Sequence, residues 1–395
     1  MHVAQPLADA FLARAIACCR ATLCSAFLIT LLTACASRPE AGFLSPVAGP
    51  SSGSTEHTLL VATTRKRDDR PGTLFGGERG SPLDFARIGI SVPQAHKAGE
   101  IEWASAAPGS AKTDFVVRQA AYLAGEKDFV RSLNAQLAAR PRGSRKVLLF
   151  IHGYNTMFAE SVYRFGQIVH DSKTLAVPVL FTWASRGALT QYVYDNNSAT
   201  TARDELERTI RLIFASDAER VDILAHSMGN WVTVEALRQI KISGPLPQVN
   251  KLGSIFLAAP DIDIDVFKSQ MRRFGKPRKP FYIVLSKDDQ ALRVSSFIAG
   301  GGNRVGADGN TEELAALGAV VIDLTDVKAL DSSNHGKFAQ LAEIAPRLSA
   351  VLENGISAGA DNVNPAQTAV GDAVGAIISL PITILGAPIK IITGR

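Results

Sequence analysis

Residues 221–230, VDILAHSMGN, set an apolar strand-like run directly against a serine fenced by histidine, methionine and glycine. A serine at the junction of a buried strand and a helix is held out on the connecting turn, where its hydroxyl can act as a nucleophile. The turn is tight, so the positions two before and two after Ser227 must be small; Ala225 and Gly229 stand there. The competing reading is that Ser227 merely caps the following helix. A nucleophilic serine also needs a base, a carboxylate to orient that base, and N–H donors for the charge on the attacked carbonyl oxygen. Beyond the turn, one core histidine remains, His335 in DSSNHGKF; His226 lies inside the turn itself. Carboxylates come from LSKDDQAL (Asp288, Asp289) and AAPDIDID (Asp261), and FIHGYNTMF offers a second backbone turn at His152-Gly153-Tyr154.

The segments LLFIHGYNTMF, LAHSMGNW, AAPDID, SKDDQAL and NHGKF together resemble an alpha/beta-hydrolase family of bacterial proteins, often lipoproteins, whose substrates are unassigned. The resemblance covers about residues 57–350. A-H-S-M-G resembles that superfamily's nucleophile elbow, with Ala225 where glycine is usual. It implies a catalytic triad in the chain order serine, acid, histidine: Ser227, Asp289 and His335. Asp289 is preferred because Ser286 and Leu292 frame it with the superfamily's spacing; Asp261 and Asp288 are the alternatives. The resemblance further implies an oxyanion hole from the backbone N–H groups of Met228 and Tyr154. The activity implied is hydrolysis of a small acyl ester through an acyl-enzyme; a thioesterase or peptidase would use the same residues. A non-catalytic hydrolase-fold binding module is the alternative class.

The elements that must position these residues read as strands alternating with helices, an α/β pattern that predicts a mostly parallel sheet with helices on both faces, the alpha/beta-hydrolase fold. Strands are expected at 57–64, 85–92, 146–151, 177–183, 220–225, 254–259, 281–285 and 319–324, several of them continuous apolar runs suited to burial on both faces. Helices are expected over EKDFVRSLNAQLAAR, near 158–171, around Leu206, Ile210 and Ile213, from Gly229 to about Ile240, and from Phe338 to Leu352. Only about twenty residues separate the strand ending at Ala259 from the next, room for a single helix. An open cleft is therefore expected, walled by the loops at Trp183–Tyr194 and IAGGGNRVGADGN. That glycine run lacks G-x-G-x-x-G and does not open a helix from a strand, so it is a loop and not a dinucleotide fingerprint. The cation-rich run RRFGKPRK (272–279) reads as a solvated loop.

All four cysteines, Cys18, Cys19, Cys24 and Cys35, lie within the first thirty-five of 395 residues, so disulfides do not hold the core. Arg14 and Arg20, the apolar run ATLCSAFLITLLTA and a small residue before Cys35 read as an export signal at 1–34. LTAC, Leu32–Cys35, resembles the lipobox of bacterial lipoproteins. It implies cleavage before Cys35 and acylation (palmitate or a similar chain) of that cysteine, leaving the protein tethered at the cell envelope, on the periplasmic side of the outer membrane. Residues 35–56, rich in Ser, Gly, Pro and Ala, are expected as a flexible tether, 57–352 as the hydrolase domain and 353–395 as an apolar tail. The tail stretch 373–389 is uncharged but carries two prolines and two glycines, which disfavours a straight spanning helix. Packing on the domain, self-association and resting at a membrane surface all suit it. A net charge of +5 with 20% charged residues, dispersed along the chain, gives no footprint for nucleic acid. No H-E-x-x-H or close histidine pair points to a metal, so the expected chemistry uses no cofactor.

Overall fold

In the computed structural model the described residues are 38–39, 41–49, 53–244, 246, 248–275, 279–343, 376–384 and 386–393. The chain divides into two units, 1–40 and 41–395, and all strands and helices among the described residues lie in the second. Cys35, the export signal and residues 353–375 lie outside the described residues.

Chain order begins with β1 (Thr55–Asp68), β2 (Leu74–Val92) and β3 (Val116–Tyr122). Helix α1 (Glu126–Ala138), β4 (Lys146–Ile151), α2 (Phe158–Asp171), β5 (Val177–Thr182) and α3 (Tyr192–Phe214) come after them. Next are β6 (Arg220–His226), α4 (Met228–Ser243), β7 (Leu252–Ala258), α5 (Ile264–Phe274), β8 (Phe281–Leu285), α6 (Gln290–Ile298), α7 (Thr311–Ala316) and β9 (Val320–Asp323). The last elements are β10 (Ala376–Ile384) and β11 (Ala387–Thr393).

Among the described residues these strands form one eleven-stranded sheet in the order β10-β11-β9-β8-β7-β6-β4-β5-β1-β2-β3. From β9 across to β1 every neighbouring pair is parallel. Antiparallel hairpins complete the two ends. Strands such as KVLLFI, VPVLFT and FYIVL are apolar on both pleat faces because helices cover both. On one face Phe129, Leu133 and Leu137 of α1, Leu206 and Ile210 of α3, and Val232 of α4 pack against Leu149, Ile151 and Ile223. On the other, Phe158, Val162 and Phe165 of α2 pack with Phe150 and Leu180, and Phe150 stacks on Phe165 at 5.1 Å. The order in which the chain fills the sheet reverses between β4 and β6, and such a switch point opens a crevice beyond the carboxyl ends of the strands.

The molecule departs from the expectations for the tether and for the start of the closing helix. The tether does not run free to residue 56. Leu44 is fully buried, Leu44 N–H donates to Gly72 O (2.9 Å), Val47 N–H to Val117 O (2.8 Å), and β1 already starts at Thr55. An isolated leucine does not show as a core period, but tertiary burial recruits it. The apolar tail packs on the domain, one of the three settings that suit it: it supplies β10 and β11, with β11 antiparallel to β9 through Lys390↔Asp323 and Ile392↔Val321. Its β-branched residues and Gly386 (φ 87°) make a hairpin, for which prolines and glycine are no obstacle. At the closing helix, residues 337–340 are a 3₁₀ turn and the chain is helical at 341–343; residues 344–352 lie outside the described residues. Strand β3 is an addition to the expected set, because VVRQAAY carries no clear alternation to mark it.

Candidate active site

Ser227 stands at the carboxyl end of β6 with φ 54° and ψ −126°, a conformation that costs about 1–3 kcal/mol for a residue with a Cβ. Its side chain makes no cap hydrogen bond to α4, so the capping role is not what this turn uses. The strained geometry is fixed from outside: Ser227 N–H donates to Ala258 O (2.9 Å), and Asn230 Nδ2 donates to both Ser227 O (2.9 Å) and Ala258 O (2.8 Å). Asp261 N–H adds a longer bond to Ser227 O at 3.3 Å.

The glycines beside the serine have steric reasons. A Cβ on Gly229 would sit 2.3 Å from His152 O and 2.8 Å from Ile151 O, so α4 can approach the end of β4 only without a side chain there. A Cβ on Gly153 would sit 2.7 Å from Ser227 Cβ. The HGY turn and the serine turn are therefore in direct contact.

His335 and Asp289 meet across 46 positions of sequence: His335 Nδ1 lies 2.7 Å from Asp289 Oδ2. Asp289 is fully buried, and its other oxygen accepts from Leu292 N–H (3.0 Å), so the carboxylate caps α6 while facing the imidazole. Burial opposes charging of His335. The hydrogen bond and charge of Asp289, with Asp261 and Asp331 nearby, outweigh it and hold the imidazole above its ordinary value. The ring of His226, adjacent to Ser227 in the chain, lies 4.6 Å from that of His335, and the two are further joined through His226 Nε2 and His335 O (3.3 Å). Among the described residues no hydrogen bond joins the Ser227 hydroxyl to the imidazole.

The other two aspartates are committed elsewhere. Asp288 accepts from Lys337 Nζ at 2.7 and 2.9 Å, from Ser286 Oγ and from Asn334 Nδ2 at 3.0 Å; burial opposes its charging, but the bonds from Lys337 and Ser286 and the Lys337 charge hold its carboxyl below the ordinary range. Asp261 accepts from Ser295 Oγ and from Tyr192 OH (3.2 Å) and pairs with Arg304 Nε at 3.4 Å. Arg304 reaches it from the glycine-rich loop, which folds back so closely that a Cβ on Gly306 would be 2.6 Å from Pro260 N. Residues 304–307 of that loop are buried, whereas 298–301 stay exposed. Likewise Trp183, expected in a cleft wall, is buried and stacks on His152 at 5.0 Å, and Tyr192 and Tyr194 open α3. One helix, α5, occupies the short connection after β7, as the spacing predicts.

Several residues that sequence reasoning passes over position this site. Arg65 is buried, and its guanidinium donates to Gly76 O (2.9 Å), Ser185 O (2.8 Å) and Thr156 O (2.8 Å), pinning the loop that comes after Gly153. Burial lowers it to about 10, against the charges of Asp195 and Glu160. Asp195 accepts from Asn155 N–H (3.2 Å), Arg186 N–H (3.0 Å) and Ser185 Oγ, tying the same loop to α3. Its own burial raises it despite these bonds. Asp331 accepts from the N–H groups of Ser333 (3.1 Å), His335 (3.1 Å) and Gly336 (3.0 Å), a cage that presents the imidazole. A carboxylate followed within five residues by a polar turn is a signal for that cage; nothing local marks Arg65. Among the described residues no group of histidine, cysteine and carboxylate side chains is arranged to hold a metal ion.

Residues 126–352, more than half of the chain, match the family model described as alpha/beta hydrolase of unknown function (DUF900). A search of curated proteins returns no match. Among solved structures the chain is similar to Aspergillus fumigatus lipase B at 14% identity and a TM-score of 0.27, over 42% of this chain and 43% of that one, a likeness too slight to carry weight. With the family match spanning the serine turn, both aspartate turns and the histidine loop, the chain belongs to that alpha/beta-hydrolase family.

Proposed function

We propose that the protein is a serine hydrolase that cleaves carboxylic acyl esters through Ser227, His335 and Asp289. The observation that carries this reading is the 2.7 Å contact of His335 Nδ1 with a buried carboxylate, beside a serine held at positive φ. In the first half-reaction His335 Nε2 takes the Ser227 proton as Oγ bonds to the ester carbonyl carbon. The oxyanion accepts from the N–H groups of Met228 and Tyr154, and Asp289 stabilises the imidazolium. As the C–O bond breaks, His335 gives its proton to the departing alkoxide, leaving an acyl-enzyme and a free alcohol. In the second half-reaction His335 deprotonates water, which attacks the acyl carbon, and the carboxylic acid departs with Ser227 restored. Exposed apolar side chains on the elements that meet over Asp261, Leu189 and Val193 on one side and Val294 and Phe297 on the other, support an acyl-bearing substrate.

The test is labelling of the purified protein with a fluorophosphonate probe. Wild type is expected to label and Ser227→Ala and His335→Ala are not; labelling of Ser227→Ala, or none in any form, would reject the reading. We further propose that the protein is anchored at the bacterial envelope through acylated Cys35, a reading supported by Leu32–Cys35 alone. Incorporation of a clickable palmitate analogue in wild type but not in Cys35→Ser tests it. Equal incorporation would end it.

A further inference from the structure

A cavity of about 670 Å³ opens between α1 and the sheet, at the end of β5 where Ala176 and Pro178 enter the strand. This is the amino end of the parallel strands, opposite the carboxyl ends that carry Ser227 and His335. Its walls include three arginines, Arg87 from β2 and Arg131 and Arg140 from the α1 side, together with Gln119, Ser132 and Gln136.

Two donors in these walls are buried and have no acceptor among the described residues: Arg87 Nε and Gln136 Nε2. Each such group is destabilising unless something occupies its donor direction. Charge points the same way. Among the described residues neither Arg87 nor Arg140 has a carboxylate partner. Arg140 is held by two backbone carbonyls, Leu175 O from Nε (3.0 Å) and Gln136 O from Nη1 (3.0 Å), which orient its guanidinium without neutralising it. Arg131 is paired with Asp128. Among the described residues the one carboxylate on the cavity wall, Glu56, is engaged by Arg118 Nε at 3.2 Å. The remaining titratable group among them, His57, is lowered to about 4 by burial and by His170, so it adds no charge at neutral pH.

We propose that this cavity is a second binding site, taking an oxyanion-bearing small molecule, phosphate or carboxylate, through Arg87, Arg140 and Gln136. A guanidinium fork matches the paired oxygens of either group, and the volume suits a ligand larger than a bare ion. The polar cavity would also admit ordered water, and the experiment separates the two.

Isothermal titration of the full protein with inorganic phosphate and with citrate, against sodium chloride of equal ionic strength, reads the site. Saturable binding of either probe is expected, with Kd at or below about 1 mM. Arg140→Gln and Arg87→Met should each weaken it by about tenfold or more. Arg131→Gln should weaken it less, and the exposed control Lys127→Gln not at all. Thermal unfolding of each variant verifies folding, and Arg140→Gln alone suffices if Arg87→Met does not fold. Flotation with phosphatidylglycerol vesicles distinguishes sources: arginine-dependent binding to vesicles alone assigns a lipid headgroup, and binding in solution assigns a free ligand. No saturable binding to any of these probes, or binding unchanged in Arg140→Gln, would mean the cavity holds only water and overturns the proposal.

Discussion

One oxygen of Asp289 faces Nδ1 of His335 at 2.7 Å while the other accepts the Leu292 N–H at 3.0 Å, so the start of α6 aims the carboxylate at the imidazole. The carboxylate also holds His335 above its ordinary value of 6.5. A base works only when neutral. The acid limb of kcat/KM for ester hydrolysis should therefore have its midpoint above 6.5. Asp289→Asn should lower kcat by about 10³–10⁴ and move that limb to lower pH. A pH–rate profile of both forms checks this; an unmoved limb would show that another group titrates.

Asp288→Asn should behave differently from its neighbour. Lys337 is buried, and its other acceptors, Ser286 Oγ, Leu324 O and Thr325 O, are all neutral. Loss of the carboxylate leaves a buried cation without a counter-charge. Asp288 is 38% exposed, so screening limits the cost to about 1–2 kcal/mol. Denaturant unfolding should register that loss, while burst titration of the folded fraction should find kcat within about threefold of wild type. A drop in kcat as large as that of Asp289→Asn would reassign the triad acid.

Gly229→Ala gains about 1 kcal/mol of helix propensity but places a methyl 2.3 Å from a backbone carbonyl oxygen. Backbone atoms at the end of β4 cannot step aside as a side chain can. Overpacking of about 1–3 kcal/mol should win, giving lower stability together with lost activity. Gly153→Ala meets Ser227 Cβ itself and should reduce activity more than stability. Chemical unfolding paired with ester turnover separates the two variants.

Acid should destabilise the fold through histidines that are neutral inside it. Burial lowers His152 to about 3 and His57 to about 4, and lowers His226 well below 6.5. Below pH 6.5 the unfolded chain binds protons that the fold refuses, so stability falls with pH by about 1.4 kcal/mol per unit for each such group. His96 and His335, both raised, act in the opposite sense: their contribution is present at low pH and is lost as pH rises through their folded values. His57→Gln should flatten the acid slope between pH 6.5 and about 4 by one proton. Urea midpoints measured across that range give the slope directly.

The parts of this protein legible from sequence are those whose physics is local. A serine between a buried strand and a helix with Gly229 two places on, and continuous apolar runs at 146–151, 177–182 and 281–285, carry their meaning within a few residues, because tight turns and two-sided burial restrict residue type on the spot. Which of two adjacent aspartates faces His335 can be argued from sequence only by resemblance to a spacing, since neighbours on one turn point to different sides. The fold decides it through the cap of α6 and the pull of Lys337 on Asp288. Arg65 and Asp195 carry no local mark at all: each acquires its role from carbonyl and amide groups brought from distant segments. The apolar tail becomes a sheet edge for the same reason, because a strand's partner is chosen by the unpaired edge of β9, which the tail's own residues do not contain.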